Sequence, residues 1–363
     1  MSVDAALQRL RDRVLVARDS KTALEIRGGC TKRFYGNVPR GEPLDVCQLA
    51  GITSYEPTEL VVTVLAGTPL LELESVLAER GQCLPFEPPH FGAVGTVGGM
   101  VAAGLAGPAR ACVGPLRDFV LGVTMLNGVG ERLTFGGQVM KNVAGYDVSR
   151  LIAGSMGILG VICEVSLKVM PIFPACRTLY VEMDETAALK QLNRWAGESF
   201  PLNASAWHRG RLYLRLAGAK AAVGRALEAT GGRELEPQAA AAWWSDIRDH
   251  RHEFFSLSDA QLERGECSWR LAVPDSAPPI ALPGEQFIEW GGGQRWWRSA
   301  APALQIRSAA ELAGGHATLV RAADKRPGVF TALKAASMNI HRRLKQSFDP
   351  AGIFNPGRLY PEL

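Results

Sequence analysis

The chain has 363 residues, 47% of them hydrophobic and 21% charged, enough apolar material for two cores of ordinary size. Its formal net charge of +4 is spread over nearly balanced cations and acids, without the basic stripe that nucleic-acid binding requires, so nucleic acid is excluded as a partner. Seven cysteines at scattered positions with no C-x-x-C argue against a disulfide framework, a zinc site and an iron–sulfur cluster, and no metal is expected.

Met1 to Arg13 carries charges every few positions, and Leu7, Leu10 and Val14 share one face. That spacing predicts an amphipathic helix without a signal-peptide core, hence residence in the cytoplasm. No apolar run approaches the roughly 18 residues of a membrane span. Ala23 to Ile26 is a short strand candidate that runs into Arg27, Gly28, Gly29, Cys30, Thr31 and Lys32, a Gly-Gly turn whose hydroxyl and two cations suit phosphate. Val61 to Leu65 reads as a buried strand, and Leu70 to Leu77 has helical spacing that ends at Gly81.

The stretch Gly95-Thr96-Val97-Gly98-Gly99, continuing to Ala102-Ala103-Gly104, leaves almost no side chain between its amides and whatever lies above them. Amide concavities of that kind bind anions; a Gly-rich turn between core elements is the plain alternative. Phe119 to Leu126 and Glu131 to Phe135 flank Asn127-Gly128 as a hairpin. Gly154, Gly157 and Gly160 then precede Val161 and Ile162 in a long apolar strand candidate, Ile158 to Met170, closed by Pro171 and Pro174 at a domain border. The glycine spacings fit neither the Rossmann hexad nor a Walker A loop.

Beyond that border Thr178 to Met183 alternates like a strand, Glu185 to Ala196 is helical, Ala204 to His208 and Arg211 to Leu216 read as paired strands, and Ala219 to Thr230 is helical. After a Pro-rich loop over 274–284, strands are expected at Phe287 to Trp290 and Ala317 to Ala322, flanking a turn at Gly291 to Gly293. The pattern is α+β, with a small second sheet carrying helices on one face. Arg342 to Gln346 finishes a helix, and Asp349-Pro350 with Gly352 turns the chain toward Asn355-Pro356-Gly357.

In this order, Arg27 to Lys32, Val64 to Leu70, Gly95 to Gly99, Lys141 to Asp147, Gly154 to Gly160 and the ending Phe348 to Leu359 resemble the PCMH-type FAD-binding family of vanillyl-alcohol oxidase. More narrowly they resemble the FAD-binding subunits of bacterial glycolate oxidases. The resemblance implies a two-subdomain FAD-binding domain over 1–174, a smaller α+β cap domain over 175–345 and a segment over 346–363 that returns to the first domain. It implies non-covalent FAD, a 2-hydroxy-acid substrate, oxidation of glycolate to glyoxylate, and two partners, a second flavin subunit and an iron–sulfur subunit. Any attachment at the inner membrane would be made through those partners.

On this resemblance, Arg27 to Lys32 and Gly95 to Gly99 supply amides and hydroxyls to the pyrophosphate. Ala102, Ala103 and Gly104 let the dinucleotide lie against backbone. Gly160, Val161 and Ile162 offer a strand edge to the adenine or ribose. Asn355 either meets the ring edge or caps its own turn. Asp118 either shapes its loop or stands near the cofactor, and Lys141, Tyr146 and Asp147 form either a salt-bridged loop or a wall beside the flavin.

Some relatives of this fold hold a covalently linked histidine where Cys30 stands; Cys30 reads either as an attachment point or as a small side chain beside phosphate, and His90 either as a neighbour of the flavin or as a loop residue. The hydroxy-acid enzymes of the fold also carry a Gly-Glu-His-Gly motif and clustered histidines in the cap. Here Gly265-Glu266-Cys267 has cysteine in the histidine position, Gly314-Gly315-His316 offers one imidazole, and His208, His250 and His252 form no evident cluster, the last two being expected in solvent. Arg295 and Arg321, with His316, remain the candidates for an acidic substrate, and the Trp290 to Trp297 segment either packs as core or faces the flavin or a partner subunit. An accessory role beside a catalytic partner, a self-sufficient dehydrogenase and a flavin-free scaffold all stay open.

Overall fold

The computed structural model describes residues 2–137 and 147–363. Helix α1 (Val3–Ser20) starts where the Ser2 hydroxyl accepts from the Ala5 amide and buries Ala6, Leu10, Val14 and Ala17. Its stripe covers a small sheet in which β1 (Leu24–Arg27) runs parallel to β2 (Glu42–Asp45) and bridges to Phe354 from the far end of the chain.

The next layer is a five-stranded antiparallel sheet. It holds β3 (Ile52–Glu56) and β4 (Val61–Leu65); then come α2 (Leu70–Glu79), the short β5 (Gln82–Cys83), α3 (Val97–Ala103) and α4 (Arg110–Val113). The expected hairpin follows as β6 (Val120–Leu126) and β7 (Arg132–Gly136), then α5 (Val148–Ile152), β8 (Val161–Lys168) and β9 (Met170–Pro171). The order β3-β4-β8-β6-β7 places β8 in the centre. Val161 and Cys163 face the α1 side, whereas Ile162, Val165 and Leu167 join the core under α2 and α3, and burial on both faces gives β8 its long apolar run.

After Pro171 the chain changes sheets. It forms β10 (Ala175–Glu182), α6 (Glu185–Ala196), β11 (Leu202–His208), β12 (Arg211–Gly218), α7 (Lys220–Thr230), β13 (Arg233–Glu234), α8 (Pro237–Arg248) and α9 (Asp259–Glu263). Strands β14 (Cys267–Ala272), β15 (Glu285–Glu289) and β16 (Gln294–Ser299), helix α10 (Ala303–Leu312), β17 (His316–Arg321) and α11 (Ala335–Phe348) complete it. The expected small sheet is in fact eight strands wide, ordered β13-β10-β12-β11-β15-β16-β14-β17. Helices α6, α7 and α10 cover one face, while α8 and Phe34 of the first unit pack on the other. The strand across the glycine turn from β15 is β16, not β17, which lies beyond β14. Trp296 and Trp297 are buried on opposite faces of β16, so the strand shows no polar alternation that sequence could reveal.

Met338, Leu344 and Phe348 of α11 already pack on the first core, so the return to the first unit begins before the expected border at 345. Lys345, buried on this helix, donates to the Ile158 and Phe354 carbonyls and to Asp349 Oδ2, each at 2.7 Å. This clip delivers Asn355 and Arg358 to the end of β1.

Candidate functional site

Two bends meet above the end of β1 and the start of α3. A Cβ on Gly29 would stand 1.4 Å from the Val94 carbonyl oxygen, and one on Gly28 would stand 2.3 Å from Thr96 Oγ1. Only residues without a side chain allow that approach. Cys30 next to them is in the left-handed region at φ 55°. Between the bends and the loop before β8 lies a cleft with about 880 Å³ of empty space.

The two bends contribute differently. Among the described residues the amides of Gly29, Cys30, Thr31 and Lys32 donate to no protein group. The second bend spends three of its donors inside the protein: Val97 N–H on the Thr68 carbonyl, Gly98 N–H on the Ala66 carbonyl and Gly99 N–H on Thr96 Oγ1, the N-cap of α3; among the described residues the Gly95 and Thr96 amides donate to no protein group. The first bend therefore offers an anion four free amides, and the second offers the Gly95 and Thr96 amides beside a floor of small residues.

Of the residues singled out from sequence, Arg27 through Lys32, Thr96, Gly98, Gly99, Ala102, Ala103, Gly160, Ile162 and Asn355 line this cleft. Gly95, Val97, Gly104, Val161 and Asp118 do not. Val161 is fully buried because successive side chains of a strand point to opposite faces, and Val97, the first residue of α3, turns its side chain into the core under that helix. Gly104 closes α3 at φ 64° against Gly154. Val161 and Ile162 pair with Leu126 and Met125 of β6 in the middle of the sheet, so they present no outer strand edge. Asp118 pairs with Arg150 at 3.5 Å on the surface, and Asp147 joins the same arginine at 2.9 Å. Lys141 and Tyr146 lie outside the described residues.

Sequence reading missed Glu25, Arg33 and Arg358. Glu25 is 5% exposed and takes Arg27 at 2.5 Å and Arg33 at 3.1 Å, which aims both guanidinium groups along the cleft. Arg27 Nε is buried without a partner. Arg358 donates to the Asn37 carbonyl and, at 3.1 Å, to that of Arg33, and burial lowers it to about 10. Asn355 accepts from the Ile26 amide at 2.8 Å and donates to the Met156 carbonyl at 2.7 Å, so its side chain ties β1 to the loop before β8. Burial brings Lys32 down to about 8, with Asp249 opposing. Free amides, an orphaned guanidinium N–H, a flanking lysine and a bare floor fit a diphosphate-bearing ligand.

A second, smaller cavity lies at the seam between the units, walled by Phe34, Phe91, Trp296, His250, Arg270 and Glu289. His250, expected in solvent, stacks on Phe255 at 4.3 Å, and burial with Arg321 and Arg270 nearby pushes its imidazole down to about 3. The neutral ring is therefore favoured in the fold, and its contribution is complete above the unfolded value near 6.5 and is lost as pH falls toward 3. His250→Gln should flatten the acid limb of a stability-against-pH curve measured by urea unfolding; an unaltered limb would show that His250 does not contribute to it.

Arg295 faces the other side of the sheet. It is fully buried, donating to the carbonyls of Gly292, Pro278 and Ala277, and it braces the Pro-rich loop, so it is no substrate ligand. His316 is exposed at the start of β17 and lines neither cavity. Arg321 reaches the seam: a register shift beside it turns its guanidinium over Phe34, 4.1 Å from the ring centre, with Nε unpartnered. His208 and His252 do meet, with ring centres 5.3 Å apart, but His208 is held by Glu285 at 3.0 Å. His90 is held by Glu74 at 2.9 Å.

Known proteins resemble this chain. The FAD binding domain family matches residues 6–136, and the C-terminal domain of FAD linked oxidases matches residues 323–359. Glycolate oxidase subunit GlcE of Escherichia coli is 45% identical over 356 residues, covering 98% of each chain. The chain belongs to this glycolate oxidase subunit family, and its cofactor is FAD. Family members are named as subunits, so the chain is a component of a multi-subunit flavoprotein. Glycolate oxidase subunit GlcD of Bacillus subtilis is 27% identical over 45% of this chain and 38% of its own. A D-lactate dehydrogenase of Archaeoglobus fulgidus is 32% identical over 43% of this chain and 35% of its own. An alkyldihydroxyacetonephosphate synthase structure superposes over 96% of this chain and 74% of its own with a TM-score of 0.64 at 15% identity, which shows the shared fold. Among the described residues no helix is long and apolar enough to cross a membrane.

Proposed function

We propose that this chain is a FAD-carrying subunit of a glycolate-oxidising complex of the cytoplasm, passing electrons to a second flavin subunit and an iron–sulfur subunit. The observation that carries the cofactor site is the contact of the two bends beside free amides. In this reading Gly29 to Lys32 hold the diphosphate, with Arg27 and Lys32 as its cations, and Gly98, Gly99, Ala102 and Ala103 form the floor. Gly160 and Ile162 lie under the adenosine half, and the ring end is directed to the seam cavity. When bound, FAD supplies hydride acceptance and electron transfer. The chain's own residues bind and orient it, and the aromatic seam excludes water. Arg270 and Arg321 at that seam, which form no ion pair among the described residues, favour dehydrogenation by this chain itself over an accessory role.

Anaerobic addition of glycolate to the purified complex should bleach the flavin of this chain, and a complex whose copy of this chain cannot hold FAD should lose that part of the signal. An undiminished signal would assign the chemistry elsewhere. Cys30 is exposed, with its Sγ 3.4 Å from the Gly28 carbonyl oxygen, and no bond to flavin is needed for retention. Acid precipitation should leave all of the flavin in the supernatant; yellow pellets would contradict the non-covalent reading.

Lys32 is protonated below about 8 and neutral above it. FAD affinity should therefore fall as pH rises through that value, and Lys32→Met should weaken binding about tenfold near neutrality, the loss of one charge-assisted contact. Titration of apoprotein with FAD at several pH values measures both effects.

A further inference from the structure

The seam cavity holds an acceptor and a cation that the fold leaves unmatched. Glu289, 4% exposed at the end of β15, takes Trp296 Nε1–H at 2.6 Å and Gln294 Nε2–H at 3.0 Å, both on its Oε2. Oε1 accepts no hydrogen bond from any described residue. On the same face of the sheet, Arg270 is the cross-strand partner of Trp296 and donates to the Tyr35 hydroxyl at 3.0 Å. Among the described residues no carboxylate forms an ion pair with it. Both residues line the cavity. Burial pushes the Glu289 carboxyl up to about 7, and nearby Arg270 works against that shift.

A small molecule with a carboxylate and an adjacent hydroxyl would satisfy both groups at once. We propose that Arg270 takes the carboxylate and Glu289 Oε1 accepts the hydroxyl hydrogen of a 2-hydroxy acid in this cavity, making Glu289 the residue that separates 2-hydroxy acids from plain carboxylates. The proposal rests on the flavin reading of the neighbouring cleft, and it assigns to β14 and β15 the work that clustered histidines perform in the resembling enzymes. A site built to hydrogen-bond a substrate hydroxyl discriminates strongly against analogues that lack it.

The test uses the full chain loaded with FAD and reduced with dithionite, so that bound acid cannot turn over, and calorimetry with glycolate, acetate and methoxyacetate. Glycolate should bind at least about tenfold more tightly than acetate or methoxyacetate, which cannot donate a hydroxyl hydrogen. Arg270→Gln should weaken all three ligands. In Glu289→Gln the Trp296 N–H holds the amide oxygen in the Oε2 position and turns the amide nitrogen toward the ligand, so the preference for glycolate should disappear while acetate binding persists.

A Glu289→Gln protein that keeps FAD and still prefers glycolate would overturn the proposal. Should that variant fail to fold, equal affinities of the unaltered protein for glycolate and methoxyacetate would do the same, as would failure of the FAD-loaded protein to bind any of the three acids. Failure of the cleft reading is seen separately, as protein that does not retain FAD.

Discussion

Gly29→Val should yield a colourless protein whose affinity for FAD is reduced on the order of a hundredfold, equivalent to roughly 3 kcal/mol. Even a Cβ at this position would fall 1.4 Å from the Val94 carbonyl oxygen, and the obstacle is backbone that cannot rotate aside. The first bend would have to lift away from the second, carrying the amides of Gly29 to Lys32 out of register with one diphosphate. Overpacking of this kind costs about 1–3 kcal/mol in stability as well. Gly224 of α7 provides the comparison, since a Cβ there meets nothing within 4 Å. Gly224→Ala should keep full flavin content and gain slightly in stability from helix propensity. Flavin content after gel filtration and apoprotein titration distinguish the two variants; a yellow Gly29→Val protein of undiminished affinity would remove the bends from the binding site.

The second large effect is expected at the clip after α11. Asp349→Ala should lower unfolding stability by about 3–5 kcal/mol, the usual cost of stranding one partner of a buried pair. The Asp349 side chain is fully buried against Lys345 and also accepts from the Ile353 and Phe354 amides at 3.1 and 2.8 Å. Removing it leaves a buried ammonium and two amides unpaired. The segment it anchors carries Asn355 and Arg358, which tie down β1 and the first bend, so FAD retention should fall along with stability. Adding Lys345→Met to Asp349→Ala should recover part of the stability by removing the stranded charge. Urea unfolding of the single and double variants measures both, and a single variant within 0.5 kcal/mol of the unaltered protein, the range about normal for surface changes, would refute the clip.

The glycine bends were legible because glycine needs little context: bare amides beside Arg27, Thr31 and Lys32 already suggest an anion. Local periodicity also served where one face is wet, as in α6 (Glu185–Ala196), whose Ala188, Leu189 and Leu192 stripe is bounded by an Asp184 cap. It failed for β16, where Trp296 and Trp297 are buried on opposite faces and alternation is lost. The inclusion of Val97 and Val161 in the site came from treating motifs as blocks, although Val161 points to the opposite face of β8 from Ile162 and Val97 turns into the core at the start of α3. Arg295 looked available as a lone arginine among tryptophans, yet its partners are the Pro-rich loop carbonyls at 277–278 and Gly292. Arg358, Arg270 and Glu289 are brought to their sites by contacts across long sequence separations or between strands, and a single sequence carries no local signal for those.

The most direct test of the account is the visible spectrum of the purified full chain before and after unfolding, with FAD titrated into flavin-stripped protein. One FAD per chain, released on unfolding and rebound on refolding, is the expected result. A colourless chain that acquires no flavin absorbance when FAD is added would contradict the central claim that the bends at Gly29 and Thr96 form a diphosphate site.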